Sequence, residues 1–395
     1  MTQTRTELQY NVEDAVLDRY KAGAQQVQPS LCCPVADYEG RYLKVLPREI
    51  LEKDYGCGDP SRHVYEGDTV VDLGSGAGKI CYILAQKVGR GGRVIGVDFN
   101  DDMLSLARKH HPHITQSIGY DNVRFAKGRI QDLAVDLERL QAWLDDHPVQ
   151  TVDGVAALDG ESERLRREEP MIATDSVDVV VSNCVLNLVR PRDKQQLFAE
   201  IFRVLRRGGR AVISDVVCDE DPTPKILGDP DLWSGCIAGA FREDEFLRMF
   251  EQAGFHGIEI LSRQDRPWQT IDGVEFRSVT VRAFKGKQGP CLERNQAVIY
   301  AGPWKSVEDD DGHTYHRGRR MAVCDKTCRL LTEKNGPYAE QMTAVLPRNE
   351  IALDDAKPFD CARDDFRDPR ETKGHDFRDT MQPGYGGCCG PDDCC

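Results

Sequence analysis

The sequence predicts an α/β protein, a doubly wound parallel sheet with a smaller α+β unit at its carboxyl end. Three observations predict it. From Asp68 onward, short β-branched apolar runs alternate with segments of helical period. A glycine-rich turn, "DLGSGAG" at 72–78, joins the first of those runs to a helix. An acid, Asp98, closes the next run, 20 residues after Gly78.

Taken in order, residues 11–23 put Val12, Ala15, Val16, Arg19 and Tyr20 at helical spacing, with Gly23 as a stop. Residues 24–66 are irregular and hold "LCCPV" and "DYGCGDP". Strands are expected near 69–73, 93–98, 122–126, 177–182 and 210–216, and helices near 78–88, 101–110, 131–144 and 193–206. A helix near 242–253 and an antiparallel pair near 257–263 and 274–284 finish the sheet. The polar, weakly periodic stretch 145–174 reads as a mobile surface insertion. Within 286–350, "QAVIYAG" and "TAVLPRN" read as strands and "VCDKTCRLL" as a helix start. From 351 the chain is charge-rich and poor in aliphatics, which reads as a disordered, cysteine-rich tail ending in "GGCCGPDDCC". The expected domains are therefore 1–67, 68–285, 286–350 and 351–395.

Composition narrows the function. A net charge of −14 argues against a nucleic-acid surface and against docking on an anionic membrane. No run of 18 apolar residues exists, and "MTQTRTELQY" has no apolar leader, so a cytoplasmic protein is expected. The 15 cysteines are odd in number, and several are adjacent pairs. In a cytoplasmic setting they point to a soft metal or metalloid, or to thiol chemistry, rather than to a disulfide scaffold.

The turn supplies the cofactor reading. Gly74, Gly76 and Gly78 let the backbone approach a ligand at a helix N-terminus, and Asp98 can accept both hydroxyls of a ribose. With Asp72 and Ser75, "DLGSGAG" resembles motif I of class I S-adenosylmethionine-dependent methyltransferases. "GVDFNDDMLSLAR" (96–108) is similar to the segment after their second strand. That likeness implies Asp98 on the ribose, Met103 under the adenine, and Phe99 in the same set. "GRIQDL" (128–133) resembles the motif that brackets the adenine, which implicates Ile130 and Gln131. "VVSNCVLNLV" (180–189) is similar to the segment where substrate and sulfonium meet, and it adds Asn183. The resemblance implies a Rossmann-like class I methyltransferase sheet over about 68–284, and leaves the substrate open.

The cysteines narrow the substrate. Cys184 ends the expected fourth strand, on the edge that lines the ligand crevice of such sheets. Two other cysteines, Cys57 in "DYGCGDP" and Cys236 in "DLWSGCIAGA", read as loop cysteines beside glycine. With "LCCPV", "VLPREILEKDYGCGDP" and "RVLRRGGRAVISDVV", these segments resemble an arsenite methyltransferase along nearly the whole chain. The resemblance implies that Cys57, Cys184 and Cys236 carry trivalent arsenic. It also brings in an upstream cysteine, doubled here as Cys32/Cys33. "AVIYAGPW" and "VCDKTCRLL" match the family too, while the 145–174 insertion departs from it.

The chemistry is coherent on its own terms. A soft, three-coordinate centre prefers thiolates. Its lone pair attacks the sulfonium methyl in line, so alignment matters and no general base is needed. Tyr55, beside the Gly56–Cys57 step, is a candidate for that alignment. Cys32 or Cys33, exchanging with Cys57, would reduce the pentavalent product, with thioredoxin or glutathione resetting the enzyme. Arsenite and methylated arsenicals are then the partners. Two other readings compete: a methyltransferase of a small organic acceptor, and a non-catalytic metalloid-binding protein. The first would need a base that "SNCVLNLV" and "SGCIAGA" lack; the intact turn and Asp98 speak against the second. Cys324 and Cys328 in "CDKTC" read as structural, with no four-ligand zinc set in view. Cys81 reads as packing, and the histidines of "KHHPH" (109–113) as residues just past a helix end.

Overall fold

The computed structural model describes residues 11–26, 38–53, 55–362, 365–374 and 376–377. The chain divides into two compact units, Met1–Gly286 and Lys287–Cys395.

The first unit is built on β1 (Thr69–Leu73), β2 (Arg93–Asp98), β3 (Val123–Lys127), β4 (Val177–Asn183), β5 (Leu205–Cys218), β6 (Phe241–Arg242), β7 (His256–Arg263), β8 (Gln269–Ile271) and β9 (Val274–Phe284). Its main order is β3-β2-β1-β4-β5-β9-β7, with β6 beside β5 and β8 beside β9. The first five strands run parallel, and β9 lies antiparallel to both β5 and β7. Strand alternation divides the core. Val71, Leu73, Val180 and Ile213 pack into one apolar cluster, and Val70, Val179, Val181 and Val212 into another. The order reverses between β1 and β4, where Leu73 is level with Ser182. A crevice opens beyond the carboxyl ends at such a point.

Helices depart from expectation in three places. The helix after β2 runs Asp101–Ile118, through Pro112 and the histidine cluster. Buried Ile114 prolongs its apolar face, and left-handed Gly119 ends it. His110 and His111 bond Glu49 and Asp121. The next helix begins only at Leu137, because the Asp136 side chain caps it by accepting from Glu138 and Arg139 N–H. The insertion expected to be mobile contains a helix, Val152–Glu168, capped by Thr151 and anchored by buried Leu165. Arg164 pairs with Glu161 and Glu169, and Arg166 with Asp132 and Glu163. Such charge pairs support a helix with little apolar periodicity.

The second unit holds β10 (Leu292–Glu293), β11 (Ala297–Tyr300), β12 (Ser306–Glu308), β13 (Thr314–His316), β14 (Arg320–Ala322), β15 (Met342–Val345) and β16 (Lys357–Pro358). β14, β11 and β15 form its central sheet, over which Val298, Tyr300, Met321 and Leu331 pack. The tail reading is corrected for residues 351–362, 365–374 and 376–377. β16 pairs with β10, Phe366 bridges Met321, and Pro369–Lys373 is helical. Buried Arg367 bonds Glu293 at 2.7 Å and the Gln296 carbonyl at 3.2 Å. Ion pairs and backbone hydrogen bonds, not aliphatic burial, hold this segment. Residues 378–395, with the terminal cysteine pairs, lie outside the described residues, as do Cys32 and Cys33. Among the described residues no helix is long and apolar enough to cross a membrane.

Candidate active site

The crevice beyond β1, β2 and β4 is lined by Gly74, Gly76, Asp98, Phe99, Met103, Ile130 and Gln131, and by Val185, Leu188 and Arg190 from the segment after β4. Gly74 is left-handed, and a Cβ there would sit 2.4 Å from Val185 Cγ1. The Asp98 carboxylate accepts the Gly76 N–H at 2.8 Å and the Asn100 N–H at 2.9 Å. Burial raises its pKa, opposed by those backbone donors. The residues present fit a nucleoside cofactor. Asn100 lines the crevice, and its buried Nδ2 has no partner among the described residues, so a polar donor waits there.

Other expected cofactor residues are placed differently. Asp72 is buried and accepts the Cys81 thiol at 3.2 Å, so Cys81 is more than packing. Gly78 starts the Lys79–Val88 helix in a left-handed conformation. Asn183 turns away from the crevice. Its Oδ1 accepts the Cys57 and Gly58 N–H groups at 2.8 and 3.1 Å, and its Nδ2 donates to the Gly58 carbonyl at 2.8 Å. It is a positioning residue for the Cys57 loop, and no Cβ fits at Gly56 beside it. Tyr55 donates to the Gly23 carbonyl at 3.2 Å and packs edge-on to Tyr20. It anchors the Val12–Gln25 helix and does not line the crevice.

Cys57, Cys184 and Cys236 are all buried and share one core cluster. The donor atoms of Cys57, Cys184 and Asp215 lie within 4.8 Å of one another. Cys236 is not a member of that group; its thiol donates to the Cys184 carbonyl at 3.1 Å. Cys184 and Cys236 have φ of 62° and 63°, the left-handed region that side chains rarely adopt. Neighbouring asparagines hold two of the three: Asn183 the Cys57 loop, and Asn187 the Cys236 carbonyl at 3.1 Å.

Sequence reasoning missed Asp215 and Tyr20. Burial pushes the Asp215 carboxyl up to about 6, opposed by the Val216 and Leu186 N–H groups and by Lys194. The signal was legible: Asp215 breaks the apolar run of β5 near its end, as Asn183 and Cys184 break that of β4. Tyr20 lines the crevice and brings its hydroxyl 4.0 Å from Cys236 Sγ. Burial and the adjacent Cys236 and Cys184 hold its phenol well above the ordinary value, so it is a neutral donor at physiological pH. It belongs to both the crevice and the thiol pocket. Its role needed the tertiary position of the first helix, which no local motif reports.

A sheet of this order, with a glycine-rich turn after β1 and an acid at the end of β2, is a class I S-adenosylmethionine-dependent methyltransferase fold. A family profile described as a methyltransferase domain matches residues 65–254, and one described as a domain of unknown function matches 287–377. An arsenite methyltransferase of Aquipseudomonas alcaligenes is 30% identical over 78% of this chain and 84% of that protein. The arsenite methyltransferase of Homo sapiens is 28% identical over 92% and 90%. The crystal structure of an arsenic (III) S-adenosylmethionine methyltransferase from Chlamydomonas reinhardtii, 26% identical, covers 84% of this chain and 99% of its own with a TM-score of 0.52. The chain belongs to the arsenite methyltransferase family.

Proposed function

We propose that this protein methylates trivalent arsenic, arsenite first and then methylarsenite, in arsenic detoxification. One observation carries the reading: two strained, buried cysteines and Cys57 meet in one core beside a crevice fit for S-adenosylmethionine. The relatives' names support it. When bound, S-adenosylmethionine supplies an electrophilic methyl group. Asp98 would hold its ribose, with Met103 and Ile130 beside the adenine.

Cys57 and Cys184 would bind arsenic first. Asp215 completes their present grouping, but a soft centre prefers sulfur to a carboxylate. Cys236 would supply the third sulfur by turning its thiol from the Cys184 carbonyl. Tyr20, between pocket and crevice, would orient the thiolates as a neutral donor. Trivalent arsenic attacks with its own lone pair, so the chain positions the reactants and removes no proton from the nucleophile. Reduction of the pentavalent product would draw on Cys57 with Cys32 or Cys33, and on thioredoxin or glutathione in the cytoplasm. The test is arsenic speciation after incubation with S-adenosylmethionine and a thiol reductant. Methylated arsenicals are expected; arsenite recovered unchanged would contradict the reading.

A further inference from the structure

A second thiol cluster lies in the carboxyl-terminal unit, apart from the residues assigned above. The sulfur atoms of Cys291, Cys324 and Cys361 all lie within 4.8 Å of one another, and none is in a disulfide. Separate segments bring them together. Cys291 precedes β10, and its carbonyl accepts the Phe359 N–H at 2.9 Å, which extends the β10–β16 pairing. Cys324 is the N-cap of the Asp325–Thr332 helix, its sulfur accepting the Thr327 N–H at 3.4 Å. The Cys361 carbonyl accepts from His313 Nε2 at 2.8 Å. Cys324 is buried, while Cys291 and Cys361 are partly open to solvent, so the cluster has both a firm base and access. In the sequence Cys324 and Cys328 read alike, as structural residues. The helix instead turns Cys328 into the core with Met321 and Leu331.

From this geometry we infer that the carboxyl-terminal unit carries its own three-thiolate site for a soft trivalent metalloid such as arsenite. The donor set is all sulfur, which selects a soft centre. It is also complete at three. A structural zinc takes four ligands, and among the described residues no fourth Cys, His, Asp or Glu joins the cluster. His313 lies near but is engaged on both ring nitrogens, Nδ1 by Asp309 at 2.9 Å and Nε2 by the Cys361 carbonyl. Three-coordinate arsenic needs no fourth ligand. Binding arsenous acid breaks three As–O bonds and forms three As–S bonds. Each thiol proton leaves with one hydroxide as water, and arsenic stays trivalent, so no oxidant or reductant is required.

The experiment measures binding without S-adenosylmethionine, so it does not depend on methylation. The full-length chain is reduced, incubated with arsenite and freed of excess by gel filtration. Bound arsenic and zinc are then counted per chain. Cys291→Ser, Cys324→Ser and Cys361→Ser should each lose one arsenic equivalent relative to the unmodified protein. Cys328→Ser, just outside the cluster, should lose none. Cys324→Ser keeps a capping oxygen, so its helix start survives. Methylation at saturating arsenite by the three variants should stay within about two-fold of the unmodified rate, which separates this site from the catalytic one. A second readout needs no variant: arsenite should protect Cys291, Cys324 and Cys361 together from alkylation. Unchanged arsenic stoichiometry in the three variants, or alkylation of all three thiols regardless of arsenite, would overturn the inference. So would loss of a zinc equivalent with arsenic retained.

Discussion

Cys184 and Cys236 hold backbone angles that cost roughly 1–3 kcal/mol each for a residue other than glycine. Packing alone does not call for that strain, since glycine or a shifted loop would relieve it. Cys184→Gly should therefore unfold within about 1 kcal/mol of the unmodified protein, or later, while losing arsenite binding. A loss well beyond that in chemical denaturation would make Cys184 a packing residue. Asn183→Ala leaves the Cys57 and Gly58 N–H groups without their acceptor. That costs about 1–3 kcal/mol. Arsenite binding should weaken while cofactor affinity, by calorimetric titration, is retained. Asp98 has a pKa raised by burial, so its proton is taken up above the ordinary carboxylate range as pH falls. Cofactor affinity should drop as pH is lowered through that raised value, because the ribose hydroxyls lose a charged acceptor. Asp98→Asn should bind about ten- to hundred-fold more weakly at neutral pH, in line with roughly 1.5–3 kcal/mol for a charge-assisted bond, and with a flat profile. A parallel pH dependence in both proteins would remove Asp98 from the ribose.

Strands β1 to β4 were legible in the sequence within a residue of each bound, because β-branched runs between turn residues have no competing reading. β5 starts well before its expected first residue, at Leu205, since its opening residues are too polar to read as strand, and it ends two residues late, at Cys218. The Val152–Glu168 helix was not legible, because pairs such as Arg164–Glu161 replace the apolar period that a sequence reading relies on. Its stability should rest on few contacts. Leu165→Ala, at a side chain 1% exposed, should destabilise by about 2–4 kcal/mol. Arg166→Ala, on a partly exposed pair, should cost under about 1 kcal/mol. Thermal melts of both variants would check the order. The site shows the same division. The glycine turn and Asp98 are local signals, whereas Tyr20, Asn187 and Asp215 act through partners distant in sequence, such as Cys236 and Leu186.

Across the whole molecule, function concentrates where separate segments end at one sheet edge. Cys57 comes from the loop before β1, Cys184 from the end of β4, and Cys236 from the segment after β5. The carboxyl-terminal unit extends further along the chain than charge content suggests. Ending the chain after Glu371 would remove Thr372, whose carbonyl accepts the Arg348 N–H and whose hydroxyl accepts from Arg320. That truncation should lower the melting temperature of this unit, as followed by a thermal melt. Turnover of the cysteine variants on two substrates decides whether the thiols at the sheet edge are arsenic ligands. Arsenite needs three thiolates; methylarsenite, with one bond already to carbon, needs two. With cofactor affinity checked in each variant, Cys184→Ser and Cys236→Ser should methylate neither substrate. Cys57→Ser should fail on arsenite and still methylate methylarsenite. Methylation of methylarsenite by Cys184→Ser at the unmodified rate would contradict the account.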